Sequence, residues 1–588
     1  MKYLFASLES RSMIDVDCLP PMGLPYVASA LRRSGRQVIG FKASQYENST
    51  EALLRKIQEE HIDVLCIGEL SANYPILRDT IAAVRKSCPH VKIIVGGGII
   101  TAEPEFISQH LDMDFGCVGY GEETICEFAE CLETGGDFSK IKGLIYRDKT
   151  GRIVINPRRP EPENLDDIPF PALELFGFRG GNQVLRIVGS RSCTHNCTFC
   201  FHPSGYQYKA RSLDSIFAEI DYWREKFEIK HIVFVDENFG GDKERVLEFC
   251  QRFKETGIKF CIYMRVDIVT EKIIEALADS GCEGIAFGIE SMNQTVLDSM
   301  RKHITVEQIK NALKIARKYY KIQISGLLIF GDPAETYEIA MESLSWWLQN
   351  LHYGISLDLI CAYPGTALYK YGVKTGRIKD RLKFLEARCP VTNLSAMNDA
   401  LFSKLLRQIN HLRKLLFEPA NNLRIESGED ETALFYGACP SCETTYCMSF
   451  NEIAQNAFCS HLSEFCTACD SKIVISRQYQ KHFRENRYFE EFDYEDRKIA
   501  VWGMSFNAKF RLAANKRMRE SVVAVVDRNY HNFESGFLGF DVSSPETLKR
   551  IDFDVLYIGS RLWRKEILET AKCILGDSFD KKEVMLLD

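Results

Sequence analysis

Three cysteines fall within a short stretch of the chain, SRSCTHNCTFC, over residues 190–200. Cys193, Cys197 and Cys200 are separated by spacers of three and two residues, and no fourth cysteine lies nearby. Clustered cysteines of this kind typically bind a metal. A tetrahedral zinc site needs a fourth ligand, which His195 or His202 would have to supply. The competing interpretation is an iron–sulfur cluster held at three corners, which leaves one iron open to a substrate or cofactor.

A second group of cysteines forms two C-x-x-C pairs, CPSC and CTAC, separated by 23 residues. Its four thiols belong to Cys439, Cys442, Cys466 and Cys469. Four thiolates complete a tetrahedron, so the spacing predicts a structural zinc-ribbon-like insert. An auxiliary iron–sulfur cluster is the alternative, because Cys447 and Cys459 lie between the pairs and offer further ligands.

The composition is that of an ordinary globular protein. The 588 residues are 45% hydrophobic and 26% charged, and a chain of this length exceeds what one hydrophobic core organises. The formal net charge of −7 predicts no basic surface for nucleic acid. The first residues lack the pattern of a signal peptide, and no segment has the apolar length of a membrane span. We therefore expect a cytoplasmic protein, in which structural disulfides are rare.

The elements that must position these cysteines follow from two alternations of strand and helix patterns. The first covers residues 1–134 and predicts a doubly wound α/β sheet, with glycines clustered after its strands. Such glycines indicate either the close approach of a ligand or tight turns. Residues 135–180 are rich in proline and acidic residues and predict a linker.

The second alternation, over residues 181–385, contains six strand–helix units and predicts a (β/α)6 partial TIM barrel. The cysteine triplet follows the first of its strands, at the carboxyl end, where the chemistry of barrel enzymes takes place. An amphipathic helix within residues 386–430 is expected to bridge domains before the four-cysteine segment at 431–475.

The triplet resembles the signature of the radical S-adenosylmethionine (SAM) enzymes, C-x-x-x-C-x-x-C with an aromatic residue before the last cysteine, here Phe199. The resemblance implies a [4Fe-4S] cluster on the three cysteines and SAM chelated to the fourth iron. It also implies an electron donor such as flavodoxin or ferredoxin, and reductive cleavage of SAM to a 5'-deoxyadenosyl radical.

Other peptides of the barrel resemble the SAM-binding motifs of that family. DENF follows the second strand, where the family positions the methionyl amine, and GIES follows the fourth, where it contacts the ribose. IFGDPAET, after the fifth strand, resembles the adenine-binding turn. The SAM contacts that the resemblance implies are Phe199, Asp236, Glu237, Asn238, Glu290, Ser291, Ile329 and Gly331.

The N-terminal segment resembles the cobalamin-binding domain of one radical SAM subclass through PPMGLPYVASALRRSG, IIVGGGIIT and GYGEETICEF. The resemblance implies a flavodoxin-like Rossmann fold with a cobalamin groove. Its implied groove residues are Gly23, Leu24, Gly96, Gly97, Gly98, Gly119, Gly121 and Glu122. The motif D-x-H-x-x-G, which gives cobalt a histidine in other cobalamin proteins, does not follow the first strand. Either cobalamin binds without that histidine, or the domain has kept the fold and lost the cofactor.

A third alternation, over residues 498–588, outlines a Rossmann-like domain with Gly503 after its first strand and Asp527 after its second. Ser505 and Ala508 replace the other glycines of the dinucleotide fingerprint. The segment resembles modules of sugar-modifying transferases and methyltransferases. The resemblance implies a binding or docking module without NAD, and a nucleotide-sugar-like or other polar substrate.

Together the resemblances imply a radical SAM enzyme that methylates an unactivated carbon of a small molecule. Cobalamin-dependent rearrangement or cyclisation is one alternative, and a noncatalytic carrier or assembly protein with the same folds is another. The expected cofactors are a [4Fe-4S] cluster, SAM, cobalamin and zinc.

Overall fold

The computed structural model of the protein describes residues 1–8, 22–46, 48–181, 183–203, 205, 207–319, 322–350, 353–417, 424–427, 432–438, 445–451, 461–465, 472–476, 497–503, 520–528, 530–533, 540–559 and 564–586. The chain divides into two compact units, one made chiefly of Met1–Lys414 and the other of Leu415–Gln455 and Ser460–Asp588. Within the described ranges, no helix has the length and apolarity needed to cross a bilayer.

The N-terminal domain is built on a sheet with the strands β1 (Lys2–Ser7), β2 (Gln37–Lys42), β3 (Val64–Gly68), β4 (Lys92–Gly96), β5 (Phe115–Cys117), β6 (Leu144–Arg147) and β7 (Ile153–Ile155). Its helices are α1 (Gly23–Arg33), α2 (Ser49–Glu59), α3 (Tyr74–Ser87), α4 (Gly98–Ala102), α5 (Pro104–His110) and α6 (Glu122–Thr134). The strand order is β2-β1-β3-β4-β5-β6-β7, and β1 to β5 are parallel. The order 2-1-3-4-5 is flavodoxin-like, so a ligand crevice is expected at the carboxyl ends of β1 and β3.

Both faces of this sheet are buried, which explains the continuous apolar runs of its parallel strands. Tyr3 and Phe5 of β1 pack in one core with residues of α1 and α6. Leu4 and Ala6 point to the opposite face and pack in a second core with residues of α2 and α3. The sheet thereby holds its carboxyl-end loops on a rigid base.

Residues 135–180 are only in part the linker that their composition predicts. The strands β6 and β7 form an antiparallel hairpin that extends the sheet beyond β5. A turn joins them, in which the N–H of Gly151 donates to the carbonyl of Asp148 over 2.9 Å. The boundary at residue 134 is therefore wrong, because short β-branched segments pair even where the flanking composition is that of a linker.

The barrel strands are β8 (Leu185–Ile187), β11 (His231–Phe234), β12 (Lys259–Met264), β13 (Cys282–Glu290), β14 (Gln323–Phe330) and β15 (Ser356–Leu359), with a separate ribbon of β9 (Ser190–Arg191) and β10 (Lys209–Ala210). Its helices are α7 (Leu213–Lys226), α8 (Lys243–Phe253), α9 (Glu271–Asp279), α10 (Gln294–Ser299), α11 (Val306–Arg317) and α12 (Tyr337–Gln349). The six strands are parallel and lie in consecutive order. The six predicted strand–helix units thus form one sheet, and their carboxyl ends share one edge.

Helices α13 (Ala367–Lys374), α14 (Arg381–Glu386) and α15 (Asp399–Phe417) follow the barrel. The predicted amphipathic helix is α15, and it begins over the end of β14. A Cβ placed on Gly331 would lie 3.4 Å from the ring of Phe402, an ordinary contact distance, so the start of α15 packs against the end of this strand.

The second unit contains the strands β16 (Arg424–Ser427), β17 (Thr432–Ala438), β18 (Thr445–Asn451), β19 (His461–Phe465), β20 (Lys472–Ser476), β21 (Ile499–Trp502), β22 (Val522–Val526), β23 (Val542–Ser543), β24 (Val555–Ile558) and β25 (Glu583–Leu586), and the helix α16 (Arg564–Leu575). Strands β16 to β18 form an antiparallel sheet, and β19 and β20 form a hairpin. The last five strands form a parallel sheet in the order β23-β22-β21-β24-β25. Outside the described residues lie Cys439, Cys442, Cys466, Cys469, Ser505 and Ala508.

Candidate functional site

The cysteine loop leaves β9 near the carboxyl end of β8 and is held by backbone hydrogen bonds. Ser192 adopts a positive φ of 65° and donates its hydroxyl to the carbonyl of Gly205 over 2.8 Å. Thr198 donates its N–H to Met300 over 3.0 Å and accepts the N–H of Leu368 over 2.9 Å. The path of the loop is therefore fixed by segments on both sides of it.

The thiols of the triplet lie in partly buried, positively charged surroundings. Cys197 is buried, and Cys193 and Cys200 are half-buried. A hydrogen bond with Cys200 and two nearby cations together lower the pKa of Cys197 to about 6, against the effect of burial. Burial raises the pKa of Cys193. Since thiolates are the form that binds metals, the cations favour the ligand state of Cys197.

The two cations are Lys302 and Arg265, which sequence reasoning missed. Lys302 is buried, donates to Oε1 of Glu290 over 2.7 Å and lies 5.9 Å from the ring centroid of Phe199. Burial disfavours its charge, but Glu290 and Cys197 raise the pKa of Lys302 above its ordinary value. Arg265 donates to the carbonyl of Lys302 over 2.8 Å. The sequence offered one signal for Arg265, because this residue directly follows the barrel strand β12.

The donor set fits a [4Fe-4S] cluster with one open iron, because three thiols share one loop beside two cations that offset thiolate charge. In the described part of the chain, no three Cys, His, Asp or Glu side chains are close enough together to hold a single metal ion.

Asp236 of DENF supports the start of the loop. It is 3% exposed, and its Oδ1 accepts the N–H of Gly189 over 2.6 Å while its Oδ2 accepts the hydroxyl of Ser190 over 2.7 Å. Burial raises the pKa of Asp236 to about 6. Both of its oxygens are thus engaged within the barrel, where they fix the residues that precede the triplet.

The other two polar residues of DENF are placed differently. Glu237 lines a cavity, and its Oε2 lies 2.5 Å from Nδ1 of His202. That contact raises the pKa of His202. Asn238 is buried, and its Oδ1 has no hydrogen-bond partner among the described residues. Glu237 is therefore the acidic residue of this motif that reaches open space.

The remaining implied SAM contacts lie at the ends of β13 and β14. Glu290 has a positive φ of 64°, a strained conformation for a residue with a side chain. Ser291 is buried and accepts the N–H of Asn293 over 3.2 Å. Ile329 is buried, and Gly331 donates its N–H to Glu335 over 2.6 Å. Of the implied SAM contacts, Glu290 is joined by Lys302 to the cysteine loop, because the Lys302 ammonium also lies 5.9 Å from the ring centroid of Phe199.

Replacing Lys302 with methionine is expected to destabilise the chain without cofactors by about 3–5 kcal/mol, because it leaves the buried Glu290 carboxylate without its cation. Urea unfolding of the wild type and variant measures this loss. The double variant Lys302→Met/Glu290→Leu should recover much of it, since both charges are then removed. A double variant that is less stable than Lys302→Met would contradict the buried-pair explanation.

Glu335 predicts a pH dependence of stability. Burial raises the pKa of Glu335 to about 8 from its ordinary value of 4.5. Between these values the unfolded chain releases a proton that the folded chain keeps, so the free energy of unfolding falls as pH rises. Glu335→Gln has no such proton. We therefore compare the free energies of unfolding of the variant and the wild type by urea unfolding. From pH 5 to pH 8, the difference should shift in favour of Glu335→Gln by more than about 1 kcal/mol. A constant difference would contradict the assignment.

A cavity of about 460 Å³ opens between the carboxyl ends of the N-terminal sheet and the barrel, a size typical of small-molecule sites. The residues implied as cobalamin contacts all line it, namely Gly23, Leu24, Gly96, Gly97, Gly98, Gly119, Gly121 and Glu122. The barrel contributes Arg186, Val188, Ser190, Arg191, Val235 and Glu237.

A glycine with a positive φ shapes the rim of this cavity, and a buried tyrosine hydroxyl in its lining fits an amide-rich ligand such as cobalamin. A Cβ on Gly97 would lie 2.7 Å from the backbone nitrogen and oxygen of Glu69, and its φ is +82°, so the position accepts only glycine without strain. Tyr26 and Tyr120 line the cavity, and the buried hydroxyl of Tyr26 has no hydrogen-bond partner among the described residues. Neither tyrosine stood out in the sequence.

Three family models match segments of the chain: the B12 binding domain at residues 16–129, the radical SAM superfamily at 187–346, and the C2185-like N-terminal domain at 495–582. An uncharacterized methyltransferase of Pyrococcus horikoshii is 27% identical over 66% of this chain and 86% of its own length. Cytidylyl-2-hydroxyethylphosphonate methyltransferase of Streptomyces wedmorensis is 25% identical over 54% of this chain and 70% of its own.

The fold is similar to a solved structure of the radical SAM methyltransferase TsrM from Kitasatospora setae. That structure has a TM-score of 0.54 and 17% sequence identity, and the match covers 64% of this chain and 77% of that one. The likeness supports the arrangement of the two N-terminal domains. With a B12-binding domain before a radical SAM domain, and a three-cysteine loop beside the cavity between them, the chain belongs to the cobalamin-dependent radical SAM enzymes.

Proposed function

We propose that this enzyme methylates an unactivated carbon of a polar, nucleotide-linked small molecule. One observation carries the proposal: the cavity lined by the glycines of the B12-binding domain is also lined by Ser190, Arg191 and Glu237 of the barrel. Ser190 and Arg191 lie three and two residues before Cys193, the first cysteine of the triplet. A ligand in the cavity would therefore meet the barrel beside the cluster-binding loop.

The cofactors would supply the hard chemistry, a carbon radical through SAM and the cluster and a methyl group through cobalamin. The protein residues would hold these cofactors and orient them. Cys193, Cys197 and Cys200 would hold the cluster, with Lys302 offsetting their charge. Gly97 lets the turn after β4 approach the backbone of Glu69, and both residues line the cavity. These placements direct the reactive groups to one substrate carbon and keep water away.

The inner face of the barrel supports a polar substrate. The register of neighbouring strands places the side chains of Arg186, Tyr263, Ser325, Ser356 and Asp358 on one face of the sheet. Arg186 lines the cavity, which identifies this face as the one that opens toward the N-terminal domain. The name of the Streptomyces wedmorensis relative supports a nucleotide-linked molecule as the substrate class.

The test is anaerobic incubation of the reconstituted chain with cobalamin, dithionite, methyl-labelled SAM and cytidylyl- or uridylyl-linked metabolites. We expect 5'-deoxyadenosine and a product that carries the labelled methyl group, both measured by mass spectrometry. A rearranged or cyclised product without the label would contradict methylation. The absence of any SAM cleavage would favour a noncatalytic carrier instead.

We also propose that Cys439, Cys442, Cys466 and Cys469 bind a structural zinc ion. The support is their position, since one pair falls between the antiparallel strands β17 and β18 and the other between β19 and β20. Hairpin connections of this kind carry the ligands of zinc ribbons. Metal analysis should find about one zinc per chain, and Cys439→Ser should lose it. Iron in place of zinc would identify an auxiliary cluster.

For residues 498–588 we propose a binding or docking module that does not use NAD. The parallel strand order is typical of doubly wound folds. Only Gly503 of the dinucleotide glycines is present. We further propose that flavodoxin or ferredoxin donates the electron that SAM cleavage requires.

A further inference from the structure

Two side chains flank the cysteine loop and both contact the N-terminal domain. Arg191 lies two residues before Cys193, and Phe201 directly follows Cys200. Neither belongs to the signature that identifies the loop. Their contacts therefore describe how this chain joins its cysteine loop to its B12-binding domain.

Arg191 forms a buried ion pair across the boundary between the two domains. Its Nη2 donates to Oε1 of Glu122 over 2.6 Å, and the two side chains are only 13% and 10% exposed. Its guanidinium also lies 5.1 Å from the ring centroid of Tyr26 and 5.2 Å from that of Tyr120. Aromatic faces attract such a cation. One barrel side chain is thus held by three side chains of the B12-binding domain.

Phe201 inserts its ring between two glycines. A Cβ on Gly98 would lie 3.3 Å from Cε1 of Phe201, and a Cβ on Gly365 would overlap its Cε2. Gly365 has a φ of +94°, and its Cβ would also lie 3.2 Å from Cβ of Ala102. The ring is therefore packed between α4 and the loop that follows β15.

The two contacts reach the same edge of the N-terminal sheet. Glu122 is the first residue of α6, after β5, and Gly98 is the first residue of α4, after β4. Both residues line the cavity. The cysteine loop is consequently fastened at each of its ends to the rim of that cavity.

We propose that Arg191 and Phe201 are positioning residues that set the distance between the cluster and cobalamin. This inference rests on the proposed function, in which the loop holds the cluster and the cavity holds cobalamin. Contacts between domains of one chain are often mobile. A displacement of about 1 Å is enough to slow a reaction between two bound groups severely. Two fixed points at the ends of the loop restrict that displacement.

The test measures the magnetic interaction between cob(II)alamin and the reduced [4Fe-4S] cluster by electron paramagnetic resonance. The full-length wild type and the variants Arg191→Met and Phe201→Ala are reconstituted, and iron, sulfide and cobalt are measured on every sample. We expect both variants to hold both centres but to show a coupling weakened by about twofold or more, because the centres move apart. Arg191→Lys keeps the charge and should restore most of the coupling.

Arg159→Met is the matched control. Arg159 also pairs with α6, through Glu123 at 2.7 Å, but it does not belong to the cysteine loop. It should keep the wild-type coupling. If Arg191→Met does not fold, Glu122→Gln removes the same charge pair from the other side.

The proposal is overturned if Phe201→Ala and Arg191→Met both hold their full metal content and both keep the wild-type coupling. Glu122→Gln takes the place of Arg191→Met if the latter does not fold. A wild type that binds no cobalamin overturns the proposed function and this inference with it. The metal contents distinguish the two failures.

Discussion

Cys197→Ala is expected to abolish both the iron–sulfur chromophore and the formation of 5'-deoxyadenosine after dithionite reduction. Cys197 is the buried thiol of the triplet, and its hydrogen bond with Cys200 and two nearby cations together lower its pKa to about 6. It is therefore the thiol best prepared to bind a metal as a thiolate. A cluster with two remaining thiolates would lose the arrangement of three protein ligands and one open iron.

The control for this variant is Cys250→Ala. Cys250 is a buried cysteine of α8 in the same barrel, and burial raises its pKa to about 11. It behaves as a small apolar residue, so its replacement should leave iron content and SAM cleavage unchanged. A Cys197→Ala protein with wild-type iron and SAM cleavage would show that the triplet does not hold the cluster.

Gly97→Ala is expected to weaken cobalamin retention at least tenfold, or about 1.4 kcal/mol, while the iron content stays at the wild-type level. The added Cβ would lie 2.7 Å from backbone atoms of Glu69, and the φ of +82° strains any L-residue with a side chain. The loops after β3 and β4 must then shift, and both line the cavity. Equilibrium dialysis with hydroxocobalamin measures the change.

Gly135→Ala separates strain from steric contact. Gly135 also has a positive φ, of 72°, at the end of α6, but no atom lies within 4 Å of the position that an added Cβ would take. This variant should retain cobalamin as the wild type does. If Gly135→Ala and Gly97→Ala lost cobalamin to the same extent, contact of an added Cβ at position 97 with Glu69 would not be the cause.

The barrel was predictable because each strand carries a short apolar run and each helix an amphipathic pattern, and the six units keep that order along the chain. The hairpin of β6 and β7 was hidden by the surrounding proline and acidic residues. Pairing of these strands depends on the open edge of β5, which is a tertiary feature. Local composition carries no information about such an edge.

The cavity glycines were identified by resemblance, and the structure shows why a glycine is needed at Gly97. The charged partners of the site were not identified. Lys302 and Arg191 gain their roles only when the fold brings them to Glu290 and Glu122, which are 12 and 69 positions away. Single charged residues in a sequence do not reveal such pairs.

Asp236 shows a different limit of the sequence. An acidic residue after a barrel strand serves equally well as a ligand contact or as a support for the neighbouring loop. Its two hydrogen bonds to Gly189 and Ser190 show the supporting role, and its contact with SAM stays a prediction. The neighbouring Glu237 is also an acidic residue that follows β11, but it lines the cavity.

The most direct test of the account is electron–nuclear double resonance on the reduced, reconstituted chain with SAM labelled at its amino nitrogen and carboxylate carbon. We expect hyperfine coupling from both labels to the cluster, since SAM would occupy the iron that Cys193, Cys197 and Cys200 leave open. A reduced cluster that shows no coupling to either label, with SAM bound, would contradict it.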